Sequence, residues 1–65
     1  MLKKARKTKG LSQKTLAKKL DITQSYLSRL ESNAKYNENI TIGLIKKISI
    51  ELELDPVDIF LYFYH

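Results

Sequence analysis

The sequence predicts an all-α fold built from five short helices. Along most of the 65-residue chain, apolar residues recur three or four positions apart, which is the spacing of one buried helix face. No segment shows the sustained alternation of apolar and polar residues that is typical of a half-buried strand. Ser, Thr or Asp, the residue types that cap helices, precede four of the apolar runs. We expect a single domain over residues 1–65, without a linker or an internal repeat.

The first two helices are predicted from a glycine and a capping serine. Leu2 and Ala5 mark one face of a first helix, and Gly10 tolerates the left-handed conformation with which helices often end. Ser12 then caps a second helix. The predicted buried stripe of this second helix consists of Leu16, Ala17 and Leu20.

A three-residue turn, Asp21-Ile22-Thr23, leads into the third helix. Thr23 is a suitable N-cap, Leu27 and Leu30 point inward, and Asn33 can form a left-handed C-cap. Residues 12–32 therefore predict a helix-turn-helix, a unit that places the end of a helix in a groove of DNA. The alternative is a helical bundle that uses the same spacing without touching DNA.

The last two helices follow a polar loop over residues 32–40. Thr41 caps a fourth helix, whose apolar residues again recur three or four positions apart. These residues are Ile42, Ile45, Ile48 and Leu52. Asp55-Pro56 opens a short fifth helix, because proline is favoured at the first helical position.

Positive and negative charges lie towards opposite ends of the sequence. Residues 1–20 hold eight of the twelve Lys and Arg residues and no acid, whereas residues 51–65 hold four acids and no Lys or Arg. The net charge of +5 and the basic first half suit a polyanion such as the phosphate backbone of DNA, which would repel the acidic end. The alternative is that the lysine-rich helix faces are only solvated.

Several classes of function are disfavoured by what the sequence lacks. Without cysteine, neither a disulfide nor a thiolate metal site can form. No apolar run approaches the roughly 20 residues that cross a bilayer, and no signal-peptide pattern follows the basic N-terminus, so we expect a cytoplasmic protein. A single His65, with no glycine-rich loop or catalytic carboxylate pair, argues against an enzyme. We expect no cofactor, metal or small-molecule ligand.

The motifs between residues 6 and 31 resemble those of the Cro and phage-repressor-like (Xre-type) helix-turn-helix proteins. The matching residues are Arg6, Gly10-Leu11-Ser12-Gln13, Leu16-Ala17, Ser25-Tyr26-Leu27-Ser28 and Leu30-Glu31. The similarity continues through Ile45, Lys47, Ile48 and Leu52 to Asp58-Ile59-Phe60. The chain departs from the family at Asp21 and Asn33, where glycine is usual, and its loop over residues 32–39 is longer and lacks the usual proline.

The resemblance implies a compact five-helix, lambda-repressor-like domain that binds a palindromic operator in double-stranded DNA as a homodimer and regulates transcription, usually as a repressor. By position, residues 23–32 would be the recognition helix in the major groove. The side chains expected to read bases are Gln24, Ser25, Ser28 and Arg29. Gln can grip adenine and Arg can grip guanine through paired hydrogen bonds, while Ser discriminates less. The alternatives are capping support for Gln24 and Ser25, and a solvated or phosphate-bound cation for Arg29.

We expect the DNA backbone to be held by residues around the recognition helix. Gln13 opens the second helix, where free amides and the helix dipole favour a phosphate, and the resemblance assigns it the same role. The other predicted phosphate contacts are Lys14, Thr23, Lys35, Tyr36 and Asn37. Solvation is the alternative for these side chains, and Tyr26 is expected to pack at the helix edge.

The resemblance also implies an ion pair between Arg6 and Glu31, which would join the first helix to the recognition helix. The alternative is two separately solvated charges. If the pair is partly buried, removal of either partner should cost far more than the loss of a surface ion pair.

Four of the six aromatic residues lie in the last six positions, too many apolar groups for a frayed end in water. We expect Phe60 to close the core with Ile59. Within residues 57–65, the predicted contacts with a second copy of the chain are Tyr62, Phe63 and Tyr64. One alternative is that these aromatics fold back on their own domain. Another is a protein-binding module, such as an antitoxin, that binds DNA and holds a different protein at this end.

Overall fold

The computed structural model describes residues 1–32 and 40–64 and contains five helices in this part of the chain. They are α1 (Leu2–Thr8), α2 (Gln13–Leu20), α3 (Gln24–Ser32), α4 (Ile42–Leu52) and α5 (Pro56–Phe63). No strand occurs in either described range. The predicted all-α class with five helices is therefore confirmed. The expected C-cap Asn33 and the expected phosphate contacts Lys35, Tyr36 and Asn37 lie outside the described residues.

Three helices, α2, α4 and α5, begin directly after the capping residues that the sequence predicted. Ser12, Thr41 and Asp55 each accept a hydrogen bond from the backbone N–H two or three residues further on. Each bond satisfies one of the first N–H groups, which have no partner inside the helix, and so stabilises the first turn. Pro56 occupies the first position of α5, where a missing N–H costs nothing.

Residues in the left-handed conformation end α1, α2 and α4. Gly10 follows α1 with φ +70°, and the N–H of Leu11 donates to the carbonyl of Arg6 at 3.1 Å. Asp21 after α2 and Glu53 after α4 have φ values of 59° and 53°. Such ends turn the chain sharply while pairing the last carbonyls, so consecutive helices can fold back on each other.

The core is formed by twelve buried apolar side chains from all five helices and from Ile40. They are Leu2, Leu16, Ala17, Leu20, Leu27, Leu30, Ile40, Ile45, Ile48, Leu52, Ile59 and Phe63. The expectation that Phe60 closes the core is wrong, because 40% of Phe60 is exposed while only 1% of Phe63 is. The faces of α5 that carry Ile59 and Phe63 therefore point inward.

The helix-turn-helix, formed by α2 and α3, packs against α1 and α4. α2 lies against α3 and α4, α5 packs on α4, and α1 contacts both α3 and α4. An ion pair between Lys9 and Glu53 joins the residues that follow α1 and α4. In the described ranges, no helix combines the length and the apolar character that crossing a membrane requires.

Candidate nucleic-acid interface

The packing of α2 on α3 determines which face of α3 reaches the surface. Leu16 and Leu20 of α2 and Leu27 and Leu30 of α3 are each at most 1% exposed. Ala17 is small, as close helix crossing requires, and its carbonyl accepts the N–H of Ile22 at 3.0 Å in the turn. The opposite side of α3 is therefore exposed. It carries the four side chains predicted to read bases, Gln24, Ser25, Ser28 and Arg29.

Thr23 caps this helix. Its Oγ1 accepts a hydrogen bond from the N–H of Tyr26 at 3.1 Å, which fixes the direction in which α3 leaves the turn. Tyr26 is half-buried and packs against the core. The cap at Thr23 and the packing of Tyr26 thus fix the first turn of α3, where Gln24 and Ser25 lie.

Arg6 and Glu31 form an ion pair between α1 and the last turn of α3. Arg6 Nε donates to Glu31 Oε2 at 2.7 Å and Nη2 donates to Oε1 at 3.2 Å, so the contact is bidentate. A third donor, Nη1, reaches the carbonyl of Leu11 at 2.9 Å. Only 9% of the Arg6 side chain and 3% of the Glu31 side chain are exposed. Loss of either partner would leave the other charge buried, which is strongly destabilising.

Gln13 extends this network towards the exposed face of α3. Its Nε2 donates to Glu31 Oε1 at 3.1 Å, and its Oε1 accepts from Gln24 Nε2 at 3.4 Å. Gln13 opens α2 as predicted, but its amide is already engaged within the protein, and it is half-buried. The hydrogen bonds therefore run from a buried ion pair through Gln13 to Gln24, a link that spacing in the sequence did not indicate.

Tyr62 connects α5 to the other end of α3. Its hydroxyl donates to the carbonyl of Leu30 at 3.1 Å and lies 3.5 Å from that of Glu31. These carbonyls belong to the last turn of α3, whose acceptors have no partner inside the helix. Burial, and after it the negative charge of Glu31, raise the pKa of the Tyr62 phenol above its ordinary value of 10.0. Sequence analysis missed this contact, which joins residues 32 positions apart.

The predicted dimer residues do not share one face. Phe63 is buried in the core and Tyr62 is half-buried against α3, so the inclusion of Phe63 in an exposed contact surface is wrong for this fold. Tyr64 is 43% exposed, although its hydroxyl donates to the carbonyl of Ile40 at 3.1 Å.

The exposed face of α5 is instead an apolar stripe, which we call the α5 stripe. It consists of Val57, Phe60, Leu61 and Tyr64, between 40% and 59% exposed. These residues stand at positions i, i+3, i+4 and i+7, so they line one side of the helix. The rings of Phe60 and Tyr64 stack with their centroids 4.7 Å apart. The spacing of these four residues can be seen in the sequence, but it does not predict which of the apolar faces of α5 is exposed.

Comparison with known proteins gives one match. A family model described as helix-turn-helix covers residues 2–59, which is most of the chain and includes α1 to α4 and the start of α5. No curated protein and no solved structure matches the chain.

Proposed function

Because this chain belongs to the Xre- and Cro-type helix-turn-helix family of DNA-binding regulators, we propose that it is a sequence-specific transcriptional repressor. It binds a palindromic operator in double-stranded DNA as a homodimer, and α3 of each copy enters the major groove. The observation that carries the proposal is the exposed row of polar side chains on a helix whose opposite face is fully buried.

The chemistry of α3 suits base readout. Gln24 can bond adenine through N6 and N7, Arg29 can bond guanine through O6 and N7, and a good bidentate pair gives about 1 to 3 kcal/mol of discrimination. The network through Gln13 orients the Gln24 amide before DNA arrives, which lowers the entropy lost on binding. Ser25 and Ser28 are short enough to let the helix approach the bases closely.

Contacts with phosphates would fix the register of the helix. Lys14 is exposed beside Gln13 on the first turn of α2, where the dipole and free amides attract an anion. The Gln13 side chain contributes by holding Gln24, and the backbone N–H groups of this turn are the donors offered to the phosphate.

The α5 stripe supports a symmetric dimer. Four apolar side chains on one helix face, two of them stacked aromatics, make a contiguous exposed surface of the kind that marks protein contacts. A second copy presents the same stripe, so the contact is self-complementary about a two-fold axis, as a palindromic operator requires.

The decisive experiment is fluorescence anisotropy with roughly 100 base pairs from upstream of the gene and a scrambled duplex, at about 50 and 200 mM salt. We expect binding to the upstream DNA to be about a thousandfold or more tighter than to the scrambled duplex at the higher salt. Gln24→Ala should relax this preference by about 1 to 3 kcal/mol. Equal binding to both duplexes, erased by salt, would contradict a sequence-specific regulator and favour the protein-binding module.

A further inference from the structure

The outer face of α1 carries three exposed lysines that have no acidic partner in the described part of the chain. Lys3, Lys4 and Lys7 form no ion pair with any described residue, whereas Lys9 and Lys19 pair with Glu53 and Glu51. Unpaired cations on one side of a short helix concentrate positive potential there.

Lys3 borders the face that we propose for DNA binding. A cleft of about 200 Å³ is lined by Lys3, Gln13, Ser28, Glu31 and Ser32. Gln13 and Ser28 belong to the proposed interface, so Lys3 lies beside the surface of α3 that we propose for DNA. Spacing in the sequence did not indicate this, because the position of Lys3 depends on how α1 packs against α3.

The positive surface continues along α1. A second, wider cleft of about 650 Å³ is lined by Met1, Lys3, Lys4, Lys7, Thr8 and Glu31. Glu31 does not neutralise these lysines, because both of its carboxylate oxygens already accept hydrogen bonds from Arg6, and one of them also accepts from Gln13. Among the described residues, no uncompensated acid therefore interrupts the path from Ser28 past Lys3 to Lys7.

We propose that Lys3 and Lys7 of α1 bind phosphates of the DNA backbone next to the base pairs that α3 reads. This proposal rests on the proposed function and adds α1 to the interface. Lysine binds phosphate as a point charge at the end of a flexible stem, so the contact strengthens binding to any sequence without discriminating between bases. Ser32, in the last turn of α3, lines the same cleft as Lys3, so DNA bound along α3 would bring its backbone close to α1.

The test is the salt dependence of binding by the full chain carrying Lys3→Gln and Lys7→Gln. Each phosphate contact contributes about 0.9 to the slope of log K against log salt concentration. We therefore expect the slope of the double variant to be smaller in magnitude by about 1.8, on the upstream duplex and on the scrambled duplex alike. The preference for the upstream duplex should not change.

Two matched variants separate position from net charge. Lys46→Gln removes a cation from the exposed face of α4, which lines neither cleft, and should leave the slope nearly unchanged. Lys3→Arg with Lys7→Arg keeps both charges and should retain the wild-type slope. All variants should melt with the wild type, because both α1 positions are exposed.

The outcomes distinguish the two proposals. A double variant with the wild-type slope overturns the role of α1, whether or not the wild type prefers the upstream duplex. A wild type that binds both duplexes equally contradicts sequence-specific function, while the slope measured on either duplex still decides the role of α1. A wild type that binds neither duplex overturns both.

A second measurement needs no substitution. Amine acetylation of the wild-type protein, detected by mass spectrometry, should label Lys3, Lys7 and Lys46 in the free protein. In the DNA complex, Lys46 should still be labelled, whereas Lys3 and Lys7 should be protected. Equal labelling of Lys3 and Lys7 with and without DNA would show that they are only solvated.

Discussion

Glu31 is the residue on which the polar contacts behind α3 converge. It accepts hydrogen bonds from Arg6 on α1 and Gln13 on α2, and the hydroxyl of Tyr62 on α5 lies against its backbone carbonyl. One residue at the end of α3 thus contacts three other helices, two through its carboxylate and one through its backbone carbonyl. Its side chain is buried and fully paired, so its effect on stability should be large compared with that of an exposed acid.

Glu31→Ala should lower the free energy of unfolding by about 3 to 5 kcal/mol, because the Arg6 guanidinium stays buried with only the Leu11 carbonyl as partner. In a domain of this size each kcal/mol shifts the melting temperature by about 4 to 8 °C. The matched control is Glu51→Ala, since Glu51 lies 3.9 Å from Lys19 in a surface pair and its loss should cost about 1 kcal/mol at most. Equal melting of the two variants by circular dichroism would contradict a structural role for the buried pair.

Tyr62 should make stability fall in alkaline solution. Its pKa is raised in the folded state, so the unfolded chain loses the proton first, near pH 10, and the folded state is disfavoured as pH rises towards the raised value. Tyr62→Phe has no such proton. At pH 8 the variant should be less stable by about 0.5 to 1.5 kcal/mol because the bond to Leu30 is lost.

The measurement is urea unfolding of wild type and Tyr62→Phe at a series of pH values from about 8 to about 11. The stability difference should be constant below the ordinary tyrosine pKa and shrink above it. A difference that stays the same through this range would mean that the phenol titrates alike in folded and unfolded protein.

At the scale of the element, the turn between α2 and α3 contains a residue under conformational strain. Asp21 adopts φ 59°, a region that costs an L residue about 1 to 2 kcal/mol and costs glycine nothing. The chain keeps the geometry of the turn, with Ile22 bonded to Ala17, even without the glycine that is usual there. The helix positions therefore do not depend on the strained residue being glycine, but the stability does.

Asp21→Gly should raise the free energy of unfolding by about 0.5 to 1 kcal/mol, since it removes the strain at the turn. The converse change is Gly10→Ala at φ +70°, where an added Cβ would meet no atom within 4 Å. It should lower stability by about 1 kcal/mol through backbone strain alone. Chemical denaturation measures both, and a loss of stability in Asp21→Gly would show that the Asp21 side chain makes a compensating contact.

α5 shows how far an element could be predicted from its sequence. Asp55 and Pro56 identified its start, because capping depends on nearby residues. The orientation of the helix was not predictable in the same way: apolar residues occupy most of its positions, and Phe60 and Phe63 differ by only about 60° around the axis. Packing on α4 and the bond from Tyr62 to Leu30 decide which ring is buried.

The candidate interface was also predicted only in part, because local patterns indicate exposed positions but not contacts between helices. The exposed positions on α3 follow from the periodicity of Leu27 and Leu30, since the opposite face of a helix is then fixed. Contacts between distant parts of the chain, such as Gln13 with Gln24 and Lys3 beside Ser28, depend on how the helices pack. The Arg6–Glu31 pair was suggested by family resemblance and not by spacing.

At the scale of the whole molecule, the exposed surface has two distinct regions. α1, α2 and α3 carry the basic and polar side chains that we propose for DNA, while α5 carries the α5 stripe and Asp58. Separate regions allow one chain to bind a second copy and an operator at the same time. Dimerisation would then double the contacts with DNA. It would also raise the overall affinity, because binding of the second half-site becomes intramolecular.

Leu61→Lys should break the proposed dimer, because it places a charge in the middle of the α5 stripe, where Leu61 is 53% exposed and is not among the side chains packed against the core. Sedimentation velocity should show a monomer that melts like an intact domain and binds palindromic DNA much more weakly than the wild type. The control is Ile50→Lys, which makes the same kind of change at the most exposed large apolar side chain described, on α4. A Leu61→Lys protein that remains dimeric would place the interface elsewhere.

The hydroxyl of Tyr62 on the last turn of α3 has a further consequence for local unfolding. An opening of α5 withdraws that hydroxyl and exposes the buried ring of Phe63, so the end of α3 loses a hydrogen-bond partner in the same event. The amide protons of α5 and of the last turn of α3 should accordingly exchange with solvent as one cooperative unit. Association of two copies through α5 would then slow exchange in α3, outside the α5 stripe itself, and so make the segment that we propose to read DNA more rigid before any operator is present.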